Sequence, residues 1–436
     1  MSVQDILRLD HRARATGSIR LPGSKSIANR ALLLAAISQG TTLLRNMLDS
    51  DDTRYMRDAL VELGVTIREQ RVNGELQVEV EGQHGLFTQP QASTLFLGNA
   101  GTAMRPLTAA LAFSQGEYTL TGEPRMYERP IGPLIDALEQ LGANIEFLQH
   151  EGYPPLKIYG QSFAGRSVCV DGSLSSQFVS ALLMVLPFNP QATHLTLTGD
   201  LVSLPYIELT LAMMRRFGVR IEQLSQREYL VPGQQTYQSP GEYLIEGDAS
   251  SASYFLAAGA IAKGPVRVEG VGRQSLQGDT AFANVLEQMG AQVEWGDSYI
   301  EVCGGELVGG VFDLNAIPDA AMTVATTALF AQGPTEIRNI YNWRLKETDR
   351  LTAMATELRK VGAKIDEGED YLRIQPPEVF QHAQIATYND HRMAMCFALL
   401  AFQSQGVSIE DPDCSAKTYP NFFHDFQSIC EGLPTS

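Results

Sequence analysis

Ser24-Lys25-Ser26-Ile27-Ala28-Asn29-Arg30-Ala31-Leu32-Leu33-Leu34-Ala35-Ala36 opens on small, polar and basic residues and runs into a helix that is apolar on every side. A helix without a polar face has to lie inside a protein, wrapped by other elements. The same design returns five more times. Asn99-Ala100-Gly101-Thr102 leads into 107–112, and Ser173-Leu174-Ser175-Ser176 into 181–185. Asp248-Ala249-Ser250-Ser251 leads into 255–260, Asp319 into 324–328, and Asn389-Asp390-His391-Arg392 into 395–400. Gly40, Gly116, Gly264, Gly333 and Gly406 are expected to close five of these helices, and Pro190 stands near the end of the other. Free N–H groups at a helix N-terminus attract anions. Six such ends point to an enzyme that holds anions.

A second period interleaves with the first. Leu63-Gly64-Val65, Leu141-Gly142-Ala143, Phe217-Gly218-Val219, Met289-Gly290-Ala291 and Val361-Gly362-Ala363 each follow a stretch with amphipathic spacing, and the glycines stand 72 to 78 apart. Cys430-Glu431-Gly432 reads as a worn sixth copy. Glycine just past the last turn is the usual helix stop. After each of the five clear glycines come an alternating strand, such as Ile365-Asp366-Glu367, then a turn and a second strand. The unit is buried helix, strand, amphipathic helix, strand, strand. Six of them suit an α/β protein of two three-unit domains. Turn chemistry places a domain boundary in the turn at 232–241, and the other crossing is expected near Leu21-Pro22-Gly23, because the N-terminal strand lies ahead of the first complete repeat.

Composition narrows the function. The 436 residues carry a net charge of -17, which argues against nucleic-acid binding and against an acidic membrane surface. The longest apolar runs are about a dozen residues, too short for a bilayer. The start Met1-Ser2-Val3-Gln4-Asp5-Ile6 lacks a basic region followed by an apolar one, so no signal peptide is expected and the cytoplasm is the expected place. Five cysteines, scattered and without a C-x-x-C pair, give neither a disulfide framework nor a zinc site. Yet Lys25, Arg105, Arg129, Arg350, Arg392 and Lys417 sit inside apolar or glycine-rich segments. Basic groups gathered at one site within an acidic exterior would draw in small anions.

Several motifs carry chemistry, each with a plainer alternative. Leu21-Pro22-Gly23-Ser24-Lys25-Ser26 is not a phosphate loop, because Ser24 separates glycine from lysine. Lys25 precedes a nearly all-apolar run, so a casual surface position is the weaker reading. Gly98 and Gly101 leave backbone open to a ligand at a helix entry, although a simple tight turn has the same composition. Arg125 and Arg129 lie between Pro124 and Pro130, where guanidinium groups can face a carboxylate or phosphate, or merely water. Ser173, Ser175, Ser176 and Gln177 are donors or ordinary caps. Lys346, Glu347 and Arg350 have the spacing of a surface charge ladder as well as that of a site. Asp319 is a cap or a functional carboxylate, and His391 is more readily a structural hydrogen-bonding group than a catalyst.

Taken together, LPGSKSIANRALLLAA, LFLGNAGTAMRP, GEPRM-x-ERPIG, DGS-x-SSQF, EGDASSASYFLAA, IPDAAMT, IYNWR-x-KETDR and YNDHRMAM, in this order, closely resemble the 5-enolpyruvylshikimate-3-phosphate synthases, in their bacterial, glyphosate-sensitive class. The resemblance implies the two-domain enolpyruvyl transferase fold, one domain 22–241 and the other a discontinuous 1–21 plus 242–436, each of three βαβαββ units with buried helices inside sheets and the active site in the cleft between. It implies transfer of the enolpyruvyl group of phosphoenolpyruvate to the 5-hydroxyl of shikimate 3-phosphate, through a tetrahedral addition–elimination intermediate. No metal or organic cofactor is implied, glyphosate is implied as a competitive inhibitor with Gly101 and Pro106 setting sensitivity, and the protein is expected to be a monomer.

By motif, the resemblance assigns Ser26 and Arg30 to the shikimate carboxylate, and Ser175, Ser176, Ser203 and Lys346 to its phosphate. Lys25, Gln177, Tyr206, Asp319 and Asn342 complete that substrate's contacts. Lys25, Asn99, Gly101, Arg129, Gln177, Arg350, Arg392 and Lys417 are assigned to phosphoenolpyruvate. Asp319, Glu347 and Lys25 are the candidate proton-transfer groups. Leu204 departs from the basic residue expected in many relatives but leaves Ser203 and Tyr206 in place. Two rivals remain at this point. The UDP-N-acetylglucosamine enolpyruvyl transferases would need a reactive loop cysteine, and Cys169 lies instead in an alternating, strand-like run. A non-catalytic anion-binding module would not need the full acid, base and basic set.

Overall fold

Two kinds of helix alternate along the chain. The computed structural model describes residues 5–89 and 91–431, so residues 1–4 and Gly432 of the sixth copy lie outside it. Among the described residues the α-helices are α1 (Lys25–Ala36), α2 (Asp51–Glu62), α3 (Gly101–Ala112), α4 (Gly132–Gln140), α5 (Ser176–Val185), α6 (Leu204–Arg216), α7 (Ala249–Ile261), α8 (Phe282–Gln288), α9 (Pro318–Thr327), α10 (Arg350–Lys360), α11 (His391–Phe397) and α12 (Phe422–Ser428). The odd-numbered helices are buried all round, and the even-numbered ones bury a single face. This is the alternation that the two interleaved sequence periods demand.

Six sheets share one plan. In three of the four-stranded sheets the strand before a buried helix pairs in parallel with the strand after it. The hairpin that follows the amphipathic helix then adds two antiparallel strands, as in Ser93–Phe96, Glu117–Thr121, Leu156–Tyr159 and Asn144–Phe147. The last sheet is completed by the N-terminal strand Ile6–Leu9, which lies antiparallel to Val407–Glu410 with Ile6 opposite Glu410.

Two strands change places. Gly17–Arg20 leads into α1 but pairs with Val266–Glu269, Ile19 facing Val268. Glu242–Leu244 leads into α7 but pairs with Thr41–Arg45, Tyr243 facing Leu44. The described chain accordingly falls into two compact units, Gly23–Ile245 and Met1–Pro22 with Glu246–Ser436. Each has its own apolar core. In Gly23–Ile245, α3 packs on α1 and α5; in the other unit, α9 packs on α7 and α11.

The second set of glycines stops the amphipathic helices as expected. Gly64, Gly142, Gly218, Gly290 and Gly362 have φ of 84°, 95°, 83°, 106° and 99°, the left-handed stop that side chains resist. The first set does not cap the buried helices. α1 ends at Ala36 with Ile37 as its cap, and Gly40 serves the turn into Thr41–Arg45. α5, α9 and α11 instead tighten into 3-10 turns at Leu186–Phe188, Ala328–Phe330 and Ala398–Phe402. Such tightening satisfies the last carbonyls without a left-handed residue.

Candidate active site

Solvent meets the buried helices at their beginnings. The one residue of α1 that is not buried is Ser26; in α3, α5 and α9 it is Thr102, Gln177 and Asp319, each the second of its helix. The polar openers of the sequence repeat therefore stand at the mouths of apolar helices, where backbone N–H groups are free of helical partners.

In Gly23–Ile245 the first group forms around Arg30, one turn into α1 and 4% exposed. Its Nε donates to Thr210 Oγ1 (2.8 Å), its Nη2 to Ser180 Oγ (3.3 Å) and its Nη1 to Ser26 O (2.9 Å), so α1, α5 and α6 meet there. The Tyr206 ring centre lies 6.0 Å away. Among the described residues no carboxylate pairs with Arg30. Burial lowers its pKa to about 10, opposed in part by Tyr206. Lys25 is also buried, and its Nζ lies 3.2 Å from Asp52 Oδ2 on α2. Ser203 stands just before α6 with φ +54°, and its backbone carbonyl accepts the Tyr206 N–H at 3.1 Å, which keeps those two residues in one turn.

A second group surrounds the start of α3. Arg129, at the end of the 3-10 turn Pro124–Glu128, donates twice from Nη1 to Asn99, to O at 2.9 Å and Oδ1 at 2.8 Å. Its Nε is buried without a hydrogen-bond partner. A Cβ on Gly101 would stand 2.7 Å from Arg129 Nη2 and 2.8 Å from Arg105 Nη1, so glycine here makes room for two guanidinium groups. Arg125, by contrast, pairs with Glu128 at 2.6 Å in the same turn. At α5, Ser175 caps the helix by accepting the Gln177 N–H at 3.2 Å, and Ser176 is its first residue.

In the other unit the ionisable residues converge. Arg350, the first residue of α10 and 1% exposed, donates from Nη1 to Asp319 Oδ1 (2.8 Å), from Nη2 to Glu347 Oε2 (2.8 Å) and from Nε to Asp390 Oδ2 (2.7 Å). Arg392 Nη2 reaches the other oxygen of Asp319 at 2.8 Å, and its Nη1 donates to the Tyr254 hydroxyl at 3.2 Å. Lys417 Nζ lies 3.5 Å from Glu347 Oε1. The turn Tyr341–Leu345, which carries Asn342 and leads to Lys346, is tied to the start of α9 by Trp343 Nε1 donating to Pro318 O at 2.7 Å. Partial burial pushes the Asp319 carboxyl up, but Arg392, Lys346 and Arg350 outweigh it and hold the group below the usual carboxylate range.

Asp319 is thus not the cap of α9, whose N-cap is Ile317, and Glu347 with Arg350 is a buried cluster rather than a surface ladder. Three partners escaped the sequence reading. Asp390 grips Arg350 and caps α11, Tyr254 takes a bond from Arg392, and Asp52 faces Lys25. Asp390 stood in plain view as a cap residue before an apolar helix; no local pattern points from Tyr254 to Arg392. Among the described residues there is no group of three or more His, Cys, Asp or Glu that could hold a metal ion, and no helix long and apolar enough to cross a membrane.

Proteins of one family are similar to this chain along nearly its whole length. The 3-phosphoshikimate 1-carboxyvinyltransferase of Xenorhabdus nematophila is 59% identical over 426 residues, covering 98% of this chain and 99% of that one. The enzyme of the same name from Edwardsiella ictaluri is 60% identical, covering 96% and 97%. An EPSP synthase from Acinetobacter baumannii superposes with a TM-score of 0.81 at 26% identity over the full length of both chains. The enolpyruvyl transferase NikO from Streptomyces tendae (TM-score 0.78, 17% identity, 98% of both chains) shares the fold. Residues 9–426 match the family described as EPSP synthase (3-phosphoshikimate 1-carboxyvinyltransferase), and the chain belongs to that family.

Proposed function

We propose that the polar groups at the mouths of the buried helices perform the family's reaction. The chain is a transferase of the shikimate pathway to aromatic amino acids. It moves the enolpyruvyl group of phosphoenolpyruvate to the 5-hydroxyl of shikimate 3-phosphate and releases phosphate.

The observation that carries the residue assignment is Asp319, a carboxylate with each oxygen on a different guanidinium group. A base is useless while two arginines hold it ionised and poorly basic. Arg350 and Arg392 are also the cations that the carboxylate and phosphate of phosphoenolpyruvate require. When that anion shares their charge, Asp319 regains proton affinity, so the base is released by the arrival of the substrate.

In the addition step Asp319 takes the 5-hydroxyl proton as that oxygen bonds to C2 of phosphoenolpyruvate. Glu347, assisted by Lys25, gives a proton to C3. In the elimination step the C3 proton returns to Glu347 and the C2–O bond to phosphate breaks; the proton held by Asp319 leaves with the phosphate. Arg129, Arg350, Arg392 and Lys417, with Asn99, Gly101 and Gln177, hold phosphoenolpyruvate and stabilise the charge that develops on the departing group. Ser26 and Arg30 hold the carboxylate of shikimate 3-phosphate. Ser175, Ser176, Ser203 and Lys346 hold its phosphate, and Gln177, Tyr206 and Asn342 its remaining polar edge. Arg30 suits a carboxylate because it is buried without a counter-ion. Glyphosate competes for the phosphoenolpyruvate position, and the enzyme works as a monomer in the cytoplasm.

Phosphate release from phosphoenolpyruvate with shikimate 3-phosphate, run beside a reaction with UDP-N-acetylglucosamine, tests the reading. Release only with shikimate 3-phosphate is expected. Release only with the UDP-sugar would overturn the substrate, and silence in both from folded protein would overturn the reaction.

A further inference from the structure

We propose that Glu357 is a positioning residue for the phosphoenolpyruvate site, acting on Arg392 through the segment 385–390. The proposal rests on the reading above that Arg350 and Arg392 hold phosphoenolpyruvate.

Glu357 lies on α10 seven residues after Arg350, two turns along the same side of the helix. Its side chain is fully buried. Burying a carboxylate is costly unless its lone pairs are filled, and here they are. Oε2 accepts the Ala386 N–H at 3.1 Å and faces Lys360 Nζ at 2.6 Å; Oε1 accepts the Tyr388 hydroxyl at 2.7 Å. One helix therefore grips one short segment at both ends. Glu357 takes its beginning, and Arg350 takes Asp390 at its end, through Nε (2.7 Å) and Nη2 (3.3 Å).

Between the two grips the backbone does something unfavourable. Tyr388 and Asn389 have φ of +55° and +54°, two successive left-handed residues that are not glycine. Such a conformation persists only where its surroundings hold it. The Asp390 N–H closes the turn onto Thr387 O at 2.9 Å, and Asp390 then accepts the Arg392 N–H at 3.0 Å as α11 begins. Arg392 is thus delivered to Asp319 and Tyr254 by a turn whose near end is fastened to Glu357.

Glu357→Gln removes the charge that faces Lys360; with its amide oxygen on the Ala386 N–H, its N–H₂ donates to the Tyr388 hydroxyl, and the grip on the segment loses its charge assistance. Tyr388→Phe removes a single hydroxyl from a residue 42% exposed, and so leaves the core intact. In steady-state kinetics on the full chain, each variant is expected to raise KM for phosphoenolpyruvate by about tenfold, the worth of one charge-assisted hydrogen bond, with KM for shikimate 3-phosphate changed by less than about twofold. Arg392→Lys serves as the reference. If it raises KM for phosphoenolpyruvate and neither Glu357→Gln nor Tyr388→Phe does, the positioning role is wrong while the site reading stands. If Arg392→Lys leaves that KM unchanged, the site reading fails and the proposal fails with it. Equal rises in both KM values, or a lower unfolding midpoint with neither KM changed, would make the Glu357 contacts merely structural and overturn the proposal.

Discussion

Arg350 and Asp390 meet through two hydrogen bonds, Nε to Oδ2 at 2.7 Å and Nη2 to Oδ1 at 3.3 Å, with their side chains 1% and 0% exposed. Asp319 and Glu347 still face Arg350 when this pair is broken, so the loss is that of charge-assisted hydrogen bonding, about 1–3 kcal/mol. Asp390→Asn keeps a good cap for α11 while removing the charge. It should lower stability by an amount of that order and weaken phosphoenolpyruvate binding. Urea unfolding beside a KM measurement checks both; an unchanged transition midpoint would show that the pair contributes nothing to the fold.

Arg30 is a planar donor fork with no carboxylate beside it, in a place where burial works against its charge. Arg30→Lys keeps the charge but cannot hold Thr210, Ser180 and a ligand together. KM for shikimate 3-phosphate should rise by about 10- to 100-fold with KM for phosphoenolpyruvate far less affected, corresponding to roughly 1.5–3 kcal/mol of charged hydrogen bonding. Shikimate 3-phosphate at a hundred times its Kd should stabilise the wild-type chain by about 2.7 kcal/mol. At the same ligand concentration the variant should lose about 1.3–2.3 kcal/mol of that gain in a thermal-shift titration.

Gly101→Ala adds a methyl against Arg129 and Arg105. Both contacts are at the ends of long side chains, so the helix should survive and the guanidinium groups should move. KM for phosphoenolpyruvate and the inhibition constant of glyphosate should rise together, with the unfolding midpoint nearly unchanged. Glyphosate inhibition that stays constant while KM rises would separate the two ligands' positions.

Asp319 sets an acid limit. Its carboxyl is held below the unfolded value of about 3.9 by Arg392, Lys346 and Arg350 despite burial. Stability from this group is full above that unfolded value and is lost as pH falls through the lower folded value. Asp319→Asn should therefore melt below wild type at neutral pH, by a margin that shrinks as pH drops below about 4. It should also lose about 10²- to 10⁴-fold in kcat if Asp319 is the base. A melting deficit that grows on acidification would reverse the sign of the coupling.

Much of this was legible in the chain because its signals are local. All-apolar helices announce burial, and the periodic glycines at 64, 142, 218, 290 and 362 stop amphipathic helices in sequence and structure alike. Lys25, Arg105, Arg129, Arg350 and Arg392 are buried as their apolar surroundings required. What stayed hidden depends on distant partners. Nothing near Asp319 says that Arg392, 73 residues on, will hold one of its oxygens. The resemblance put Gly17–Arg20 in the domain with 242–436, but nothing near that strand says that its partner there is 266–269. The glycines at 40 and 333 misled because a glycine serving a turn and a glycine ending a helix look the same in one dimension.

The exchanged strands impose a timetable on synthesis. Gly23–Ile245 has every strand of its sheets once residue 244 has left the ribosome, so it can fold while the rest is still being made. The opening residues cannot. Gly17–Arg20 has no sheet to join until 266–269 exists, and Ile6–Leu9 none until 407–410 does. At about 5–20 residues per second, the first strand of the chain waits tens of seconds with its edge unpaired. During that interval the newborn amino terminus, rather than the finished enzyme, is the part most in need of a chaperone.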